Sequence, residues 1–411
     1  MLLVKLKSIA AKLAVLAAST IVAVIIAEIA LRSFGISYPM PYVPDPYCGS
    51  RLDPGMQALY TKEGRAWVSI NSHGNRDRER SLAKAPGTYR IAVLGDSYAE
   101  AMQVEQEQAF WSVLEKQLGS CEKLQNRKVE VLNFGVSGYG TAQEYEMLKN
   151  YVWQYEPDLV LLAFLTGNDI GDNSKQLSPN EVRPYYVHSV EGDISSPIVL
   201  DNSFQQHPHY LIAQTTYSKV KVNLINRSRL LQILRQVWAD YRNRDNAPKP
   251  LPEIDDTGLD PIYAPPKDKV WQQAWSITEQ LLLMTRDEVK SHGADFCVVT
   301  LSNGIQVYPV AEVRRSTMKS WGVDDLMYPD KRIADLGTRE NFKVITLAPK
   351  LQEYAEKKRS YLHGFPNTKP GTGHWNVEGH QAAGTFIANE LCEFLGQNRN
   401  DSQSDPNLNS P

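Results

Sequence analysis

Four short stretches of this chain hold residue types whose spacing suits chemistry. Gly95-Asp96-Ser97-Tyr98 offers a serine hydroxyl beside a helix start. Such a hydroxyl is a poor nucleophile until a base takes its proton. Asn133-Phe134-Gly135-Val136-Ser137-Gly138-Tyr139-Gly140 is rich in glycine, which lets backbone approach another group closely. Thr166-Gly167-Asn168-Asp169 carries an amide donor at Asn168. The fourth stretch is distant: Gly371-Thr372-Gly373-His374-Trp375-Asn376, then Gly379-His380. An imidazole titrating at about 6.5 suits proton transfer near neutrality. His374 lies in a loop that Asn376 can end by capping the next helix, whereas His380 falls inside that helix and reads as a packing residue. Each stretch alone is compatible with an ordinary turn. Their meaning depends on the elements that carry them.

Arg90–Leu94, Val129–Asn133 and Leu159–Phe164 read as buried strands, and each runs directly into one of the first three stretches. Gln103–Leu118 reads as a helix with Phe110, Val113, Leu114 and Leu118 on one face. Thr141, with Glu144 three residues on, predicts a capping box and a helix to about Trp153. Apolar strands alternating with helices imply a parallel sheet covered on both faces. In such a sheet the loops after the strand C-termini share one crevice. The alternation pauses over residues 171–269. That block holds a hairpin across Arg183–Leu200, turning at Glu191-Gly192-Asp193, and a basic amphipathic helix at about Arg227–Tyr241. A connector rich in Pro and Asp follows over Ala247–Lys267. We read the block as an inserted cap over the loop end of the sheet. The core resumes with a helix at Val270–Ser291 and strands at Asp295–Leu301 and Phe342–Leu347. A last helix at Val377–Leu395 buries Ala383, Ile387, Leu391 and Phe394, and Gly396 ends it.

The order G-D-S, glycine block, G-N-D and late His before a final helix resembles that of the SGNH/GDSL hydrolases, across most of residues 90–395. The resemblance implies a flavodoxin-like three-layer α/β/α sandwich. It implies that Ser97 is the nucleophile and His374 its base. It also implies an oxyanion hole formed by the N–H groups of Ser97 and Gly138 and the amide of Asn168. Asn71-Ser72-His73-Gly74-Asn75-Arg76-Asp77 is similar to a segment preceding the domain in membrane-anchored bacterial members, with no catalytic role carried over. One departure stands out. The family usually places an Asp two or three residues before the His, and this chain has Thr372 and Gly371 there. Glu378, at the helix start, reads as favouring the helix dipole. The expectation is therefore a Ser97–His374 dyad, its ring held by a neutral acceptor and titrating near or below the ordinary value.

At the N-terminus, Lys5, Lys7 and Lys12 precede an apolar run from Leu13 to Ala27, and Ile29–Leu31 follow Glu28. That approaches the ~20 residues that span a bilayer, and the lysines place the N-terminus in the cytoplasm. A cleaved signal peptide is the alternative, but little apolar sequence precedes Ala17-Ala18-Ser19. The organisation expected is an anchor over 1–34, an extended stalk and pre-domain segment over 35–88 rich in Pro and Tyr, the hydrolase domain over 89–396, and a disordered polar tail over 397–411. With 411 residues, 42% hydrophobic, and a net charge of −3, the chain suits one sizeable α/β core with a substantial insertion, or two small domains, and not a nucleic-acid partner. The four cysteines lack zinc spacing. Cys297 and Cys392 read as buried thiols, and Cys48 with Cys121 as the pair to test for a disulfide. The expected function is serine-dependent hydrolysis of an acyl or acetyl ester, on a small molecule or a carbohydrate, outside the cytoplasm and without cofactor or metal. Acyl transfer to a sugar hydroxyl would use the same residues. A non-catalytic polysaccharide-binding or assembly protein retaining the fold is the third reading.

Overall fold

A computed structural model describes residues 2–125, 127–242 and 260–403. It begins with helix α1 (Leu2–Ser33). Within it, Ser8–Ser33 is long and apolar enough to cross a membrane, and its apolar window is wholly unburied. The segment expected to be an extended stalk instead folds into two hairpins. Tyr42–Asp45 (β1) pairs with Gly49–Leu52 (β2), and Gln57–Tyr60 (β3) with Ala66–Ser69 (β4). Cys48, Leu52, Ala58 and Val68 are buried in one cluster with Leu94, Phe134 and Phe164 of the main domain. Four-residue strands carry too little alternation to be legible. Burial against the domain is what fixes them.

The core then alternates: β5 (Thr88–Gly95), α2 (Ser97–Glu100), α3 (Phe110–Leu118), β6 (Lys128–Asn133), α4 (Thr141–Met147), β7 (Leu159–Leu165) and α5 (Asp169–Asp172). The insertion follows. Its hairpin pairs β8 (Tyr185–His188) with β9 (Ile198–Asp201), turning through Gly192 at φ +80°, as the Glu-Gly-Asp sequence predicts. Helices α6 (Pro208–Gln214), α7 (Thr216–Arg227) and α8 (Arg229–Arg242) come next. The expected connector falls largely outside the described residues. The core closes with α9 (Lys269–Ser291), β10 (Asp295–Leu301), α10 (Ala311–Trp321), α11 (Tyr328–Arg339), β11 (Lys343–Thr346), α12 (Ala348–Lys358) and α13 (Val377–Gln403).

The sheet order is β11-β10-β7-β5-β6, with every pair parallel. In chain order of its own strands this is the doubly wound 2-1-3-4-5 arrangement, the flavodoxin-like fold expected. Side chains alternate between two apolar layers. Ile91, Val93, Leu161 and Val299 face a layer with Phe110, Leu114 and Ile387. Ala92, Leu94, Leu162 and Val298 face another with Met147, Trp275 and Ile333. Both faces being covered explains why the strands read as continuous apolar runs.

Three local expectations are corrected. Helix α4 begins at Thr141 itself and is capped from Gly140, whose N–H donates to the Gln143 side chain at 3.2 Å. Helix α13 runs through Gly396 to Gln403 instead of stopping there, since an interior glycine weakens a helix by only about 1 kcal/mol. Finally, Cys121 is bonded to Cys392, across 271 residues, and Cys48 is a buried free thiol, like Cys297. The reason is tertiary. Phe110 and Leu114 of α3 share an apolar layer with Ile387 and Leu391 of α13, and that packing brings the segment after α3 beside the middle of α13. A cross-link closing so long a loop typically stabilises by about 2–4 kcal/mol.

Candidate active site

The strand β5 ends at Gly95, and the chain turns at once into α2. A Cβ on Gly95 would lie 2.8 Å from the Ala99 side chain, so only glycine allows this turn. The buried Asp96 carboxylate caps α2 by accepting the Tyr98 N–H at 2.9 Å. This leaves Ser97 half-buried at the first helical position, where its own N–H has no intrahelical acceptor. The turn after α2 is held from the pre-domain segment. The buried Arg76 guanidinium donates to the carbonyls of Glu100, Ala101 and Val104. The stretch around Asn75-Arg76 therefore positions the helix that carries Ser97, a role its sequence did not disclose.

His374 meets Ser97 as expected, with Nε2 2.8 Å from the hydroxyl oxygen. The expected dyad is nevertheless overturned, because a carboxylate does reach the far nitrogen. Glu63, in the turn between β3 and β4, places Oε2 2.5 Å from His374 Nδ1. Its Oε1 accepts the His374 backbone N–H at 2.8 Å. Ser97, His374 and Glu63 thus form one hydrogen-bonded line, with the carboxylate 311 residues upstream of the histidine. Where the usual Asp is missing, Thr372 donates its hydroxyl to the Lys369 carbonyl at 2.9 Å, and Gly371 makes room for a neighbouring ring. A Cβ on Gly371, at φ +81°, would lie 2.6 Å from the Tyr308 ring. A Cβ on Gly373 would fall 2.3 Å from Glu63 Oε1. Gly373 thus clears the space that the carboxylate fills. Glu378 stays away from the imidazole and accepts from Tyr354 and Ser360.

The His374 loop is clamped. The Gly373 carbonyl accepts from Tyr98 Oη at 3.0 Å and lies 2.8 Å from His363 Nδ1. The Tyr98 ring lies 5.0 Å from the His374 ring. Burial pushes the His363 imidazole down to about 4, so it is neutral near pH 7 and can donate through Nδ1. For His374, burial also disfavours the cation, but the hydrogen bond and charge of Glu63 outweigh it and raise the pKa above the ordinary value. Burial alone would raise Glu63, yet its contacts with His374 hold it below the usual carboxylate range. The sign is opposite to that expected for a neutral acceptor.

The two other predicted oxyanion donors lie on the loops after β6 and β7. Gly138 adopts φ +78°, with open space where a Cβ would stand. Its carbonyl is held by the Arg183 guanidinium, which also bonds Asp172. Arg183 reaches this loop from the insertion, and nothing in its local sequence singled it out. Beside Gly138, Ser137 donates through both N–H and hydroxyl to the buried Glu100 carboxylate. Asn168 directs its side-chain N–H at Asp96 Oδ2, 3.2 Å away. That places the Asn168 amide beside the Asp96-Ser97 turn and leaves its second N–H to donate elsewhere. His380 is buried, accepting the Phe110 N–H at 3.3 Å, in keeping with a packing role.

Behind this site lies a group of acids. Glu144 and Asp169 are both buried, and Glu144 has neither oxygen hydrogen-bonded among the described residues. Burial, then repulsion from Asp96 and Asp172, raises Glu144 well above the carboxylate range, and Asp169 shifts the same way. A raised folded-state pKa means the folded chain keeps protons that the unfolded chain releases above about pH 4.3. Stability from this source falls as pH rises above that value. Glu144→Gln should therefore raise Tm at neutral pH, with the gain vanishing below about pH 4. Melting curves of the detergent-solubilised chain across pH check this. An equal loss of Tm at every pH would show a packing defect instead.

No family model matches the chain, and no curated protein matches it in sequence. Solved structures that align with the chain include the acetyl xylan esterase AlAXEase, 11% identical with TM-score 0.35 over 74% of this chain and 98% of that one. A lipolytic protein of the G-D-S-L family from Desulfitobacterium hafniense is 11% identical, with TM-score 0.32 over 73% and 98%. A catalytic mutant of Axe2, an acetylxylan esterase from Geobacillus stearothermophilus, is 12% identical, with TM-score 0.34 over 77% and 97%.

Proposed function

We propose that this chain is a serine-dependent ester hydrolase anchored by α1, with Ser97, His374 and Glu63 as its triad. The observation that carries the reading is the continuous path from the Ser97 hydroxyl through the imidazole to Glu63, at 2.8 and 2.5 Å. In this reading Ser97 Oγ attacks the acyl carbonyl while His374 Nε2 takes its proton. The developing oxyanion is stabilised by the N–H groups of Ser97 and Gly138 and by the Asn168 amide. The tetrahedral intermediate collapses to an acyl-serine as the imidazolium returns the proton to the leaving alkoxide. Water, deprotonated by the same imidazole, then releases the acid. No step calls on a cofactor or a metal. Acyl transfer differs only in the second nucleophile, a sugar hydroxyl in place of water.

The test uses the full chain in detergent. It combines p-nitrophenyl esters of increasing acyl length, an acetylated carbohydrate, and a fluorophosphonate that captures activated serines. The expected result is ester turnover together with an adduct mapped by mass spectrometry to Ser97. Absence of both would leave a binding or assembly protein that keeps the fold. Acylated sugar formed in place of free acid would favour the transferase. Orientation has its own measurement. With the N-terminus in the cytoplasm, protease added to intact spheroplasts should digest the domain. Digestion only after the membrane is broken would reverse the assignment.

A further inference from the structure

We infer that helices α7 and α8 of the insertion dock on an anionic lipid bilayer, at the surface where α1 leaves it; this rests on reading α1 as the membrane anchor. The apolar stripe of α8 points out of the protein. Leu231, Leu234, Val237, Trp238 and Tyr241 are 41%, 57%, 60%, 61% and 67% exposed. Their spacing puts them on one helical face. Helix α7 exposes Tyr217, Val220 and Leu224 at the same kind of spacing. Apolar residues this exposed on two successive helices form a surface that water does not favour.

Two observations say what covers it. The first is continuity with the span. Glu28 of α1 accepts hydrogen bonds from Ser228 Oγ and from the N–H groups of Arg229 and Leu230, at 3.0–3.1 Å. Arg32 of α1 donates to the Arg227 carbonyl at 2.8 Å. The start of α8 is thus fastened to the last turns of the apolar span, and a bilayer crossed by α1 ends beside it. The second is charge. Residues 202–242 contain six Lys and Arg and a single acid, Asp240, in a chain whose net charge is −3. A basic amphipathic helix with Trp and Tyr on its apolar face is the pattern that lies in a membrane interface. The turn that carries Glu63 also meets the end of α1. Gly35, just after α1, packs on Arg65, two residues from Glu63, such that a Cβ on Gly35 would sit 2.8 Å from the guanidinium.

Labelling the full chain in proteoliposomes of phosphatidylethanolamine and phosphatidylglycerol tests this. Cys48 and Cys297 are buried and the other two cysteines are bonded, so one introduced cysteine takes a fluorophore alone. The positions are Leu234→Cys and Trp238→Cys on the stripe, Asp240→Cys off it, and Leu16→Cys in α1. Lipids with brominated acyl chains serve as quenchers. Labels at 234 and 238 should be quenched several-fold more than the label at 240. Replacing phosphatidylglycerol by phosphatidylcholine, or Lys219 and Lys221 by Glu, should lower quenching at 234 and 238 but not at 16. Quenching at 16 without excess quenching at 234 and 238 overturns the docking and leaves the anchor standing. The reverse pattern overturns the reading of α1 as the anchor, and with it a docking placed where α1 leaves the bilayer. Energy transfer between labelled copies in place of lipid quenching would assign the face to a second copy and also overturn the proposal.

Discussion

Glu63→Gln should lower kcat on any ester the enzyme turns over by about 10³–10⁴-fold, and it should move the acid limb of the pH profile downward. The magnitude follows from tautomer control. In the native site Oε1 accepts the His374 backbone N–H and Oε2 accepts from Nδ1. A glutamine must keep its oxygen on the backbone N–H, because an amide nitrogen there would oppose a donor with a donor. Its NH₂ then faces Nδ1 and donates to it. The ring proton is driven to Nε2, the nitrogen that must accept from Ser97. The base is present but has no lone pair for the hydroxyl. The pH shift follows from charge. The reaction needs neutral His374, so the wild-type rate rises with pH through a pKa lying above the ordinary imidazole value. Without the Glu63 charge the imidazolium loses its main support, and the limb moves to lower pH while the plateau falls. The check is kcat/KM across pH for both proteins. Wild-type kcat with an unmoved limb in Glu63→Gln would remove Glu63 from the triad.

Why Glu63 escaped the sequence is a matter of distance and context. Ser97, Asn168 and His374 each sit where an apolar strand or an amphipathic helix meets a loop, and those elements announce themselves by periodicity. The runs Arg90–Leu94 and Leu159–Phe164 are legible because both faces of the sheet are covered. Glu63 lies in Thr61-Lys62-Glu63-Gly64, an unremarkable polar turn between strands of four residues. Its function depends on β3 and β4 packing against the main domain, and no local pattern encodes that. The counterpart signal was present but unreadable alone. Gly373 precedes the histidine because a side chain there would occupy the carboxylate's place. The disulfide failed for the same reason. Cys392 sits on the apolar face of α13, where a buried thiol is the local reading, and only the packing of α13 along α3 turns it toward Cys121. Arg183 and Arg76 are further cases. Each acts on a backbone carbonyl of a distant loop, a contact without a sequence signature.

Asn168→Ala should lower kcat by about 10²–10³-fold and leave KM nearly unchanged, the signature of a donor engaged only in the transition state. The amide has two N–H groups. One is directed at Asp96 Oδ2, 3.2 Å away, which orients the side chain before any substrate arrives. The other is the one assigned to the oxyanion. Removing the amide also takes a donor from Asp96, which accepts the Tyr98 N–H to cap the helix that carries Ser97 and lies 3.5 Å from the Ser97 hydroxyl. Some loss could therefore come from a displaced nucleophile, and the pH profile separates the two causes. Asn168 does not touch the His374–Glu63 pair, so an oxyanion role predicts a lowered plateau with the acid limb where the wild type has it. Displacement of Ser97 would break its 2.8 Å contact with Nε2, slowing fluorophosphonate capture and moving the limb as well. Unchanged kcat with a raised KM would reassign Asn168 to ground-state binding, and unchanged kinetics would place the amide outside the site.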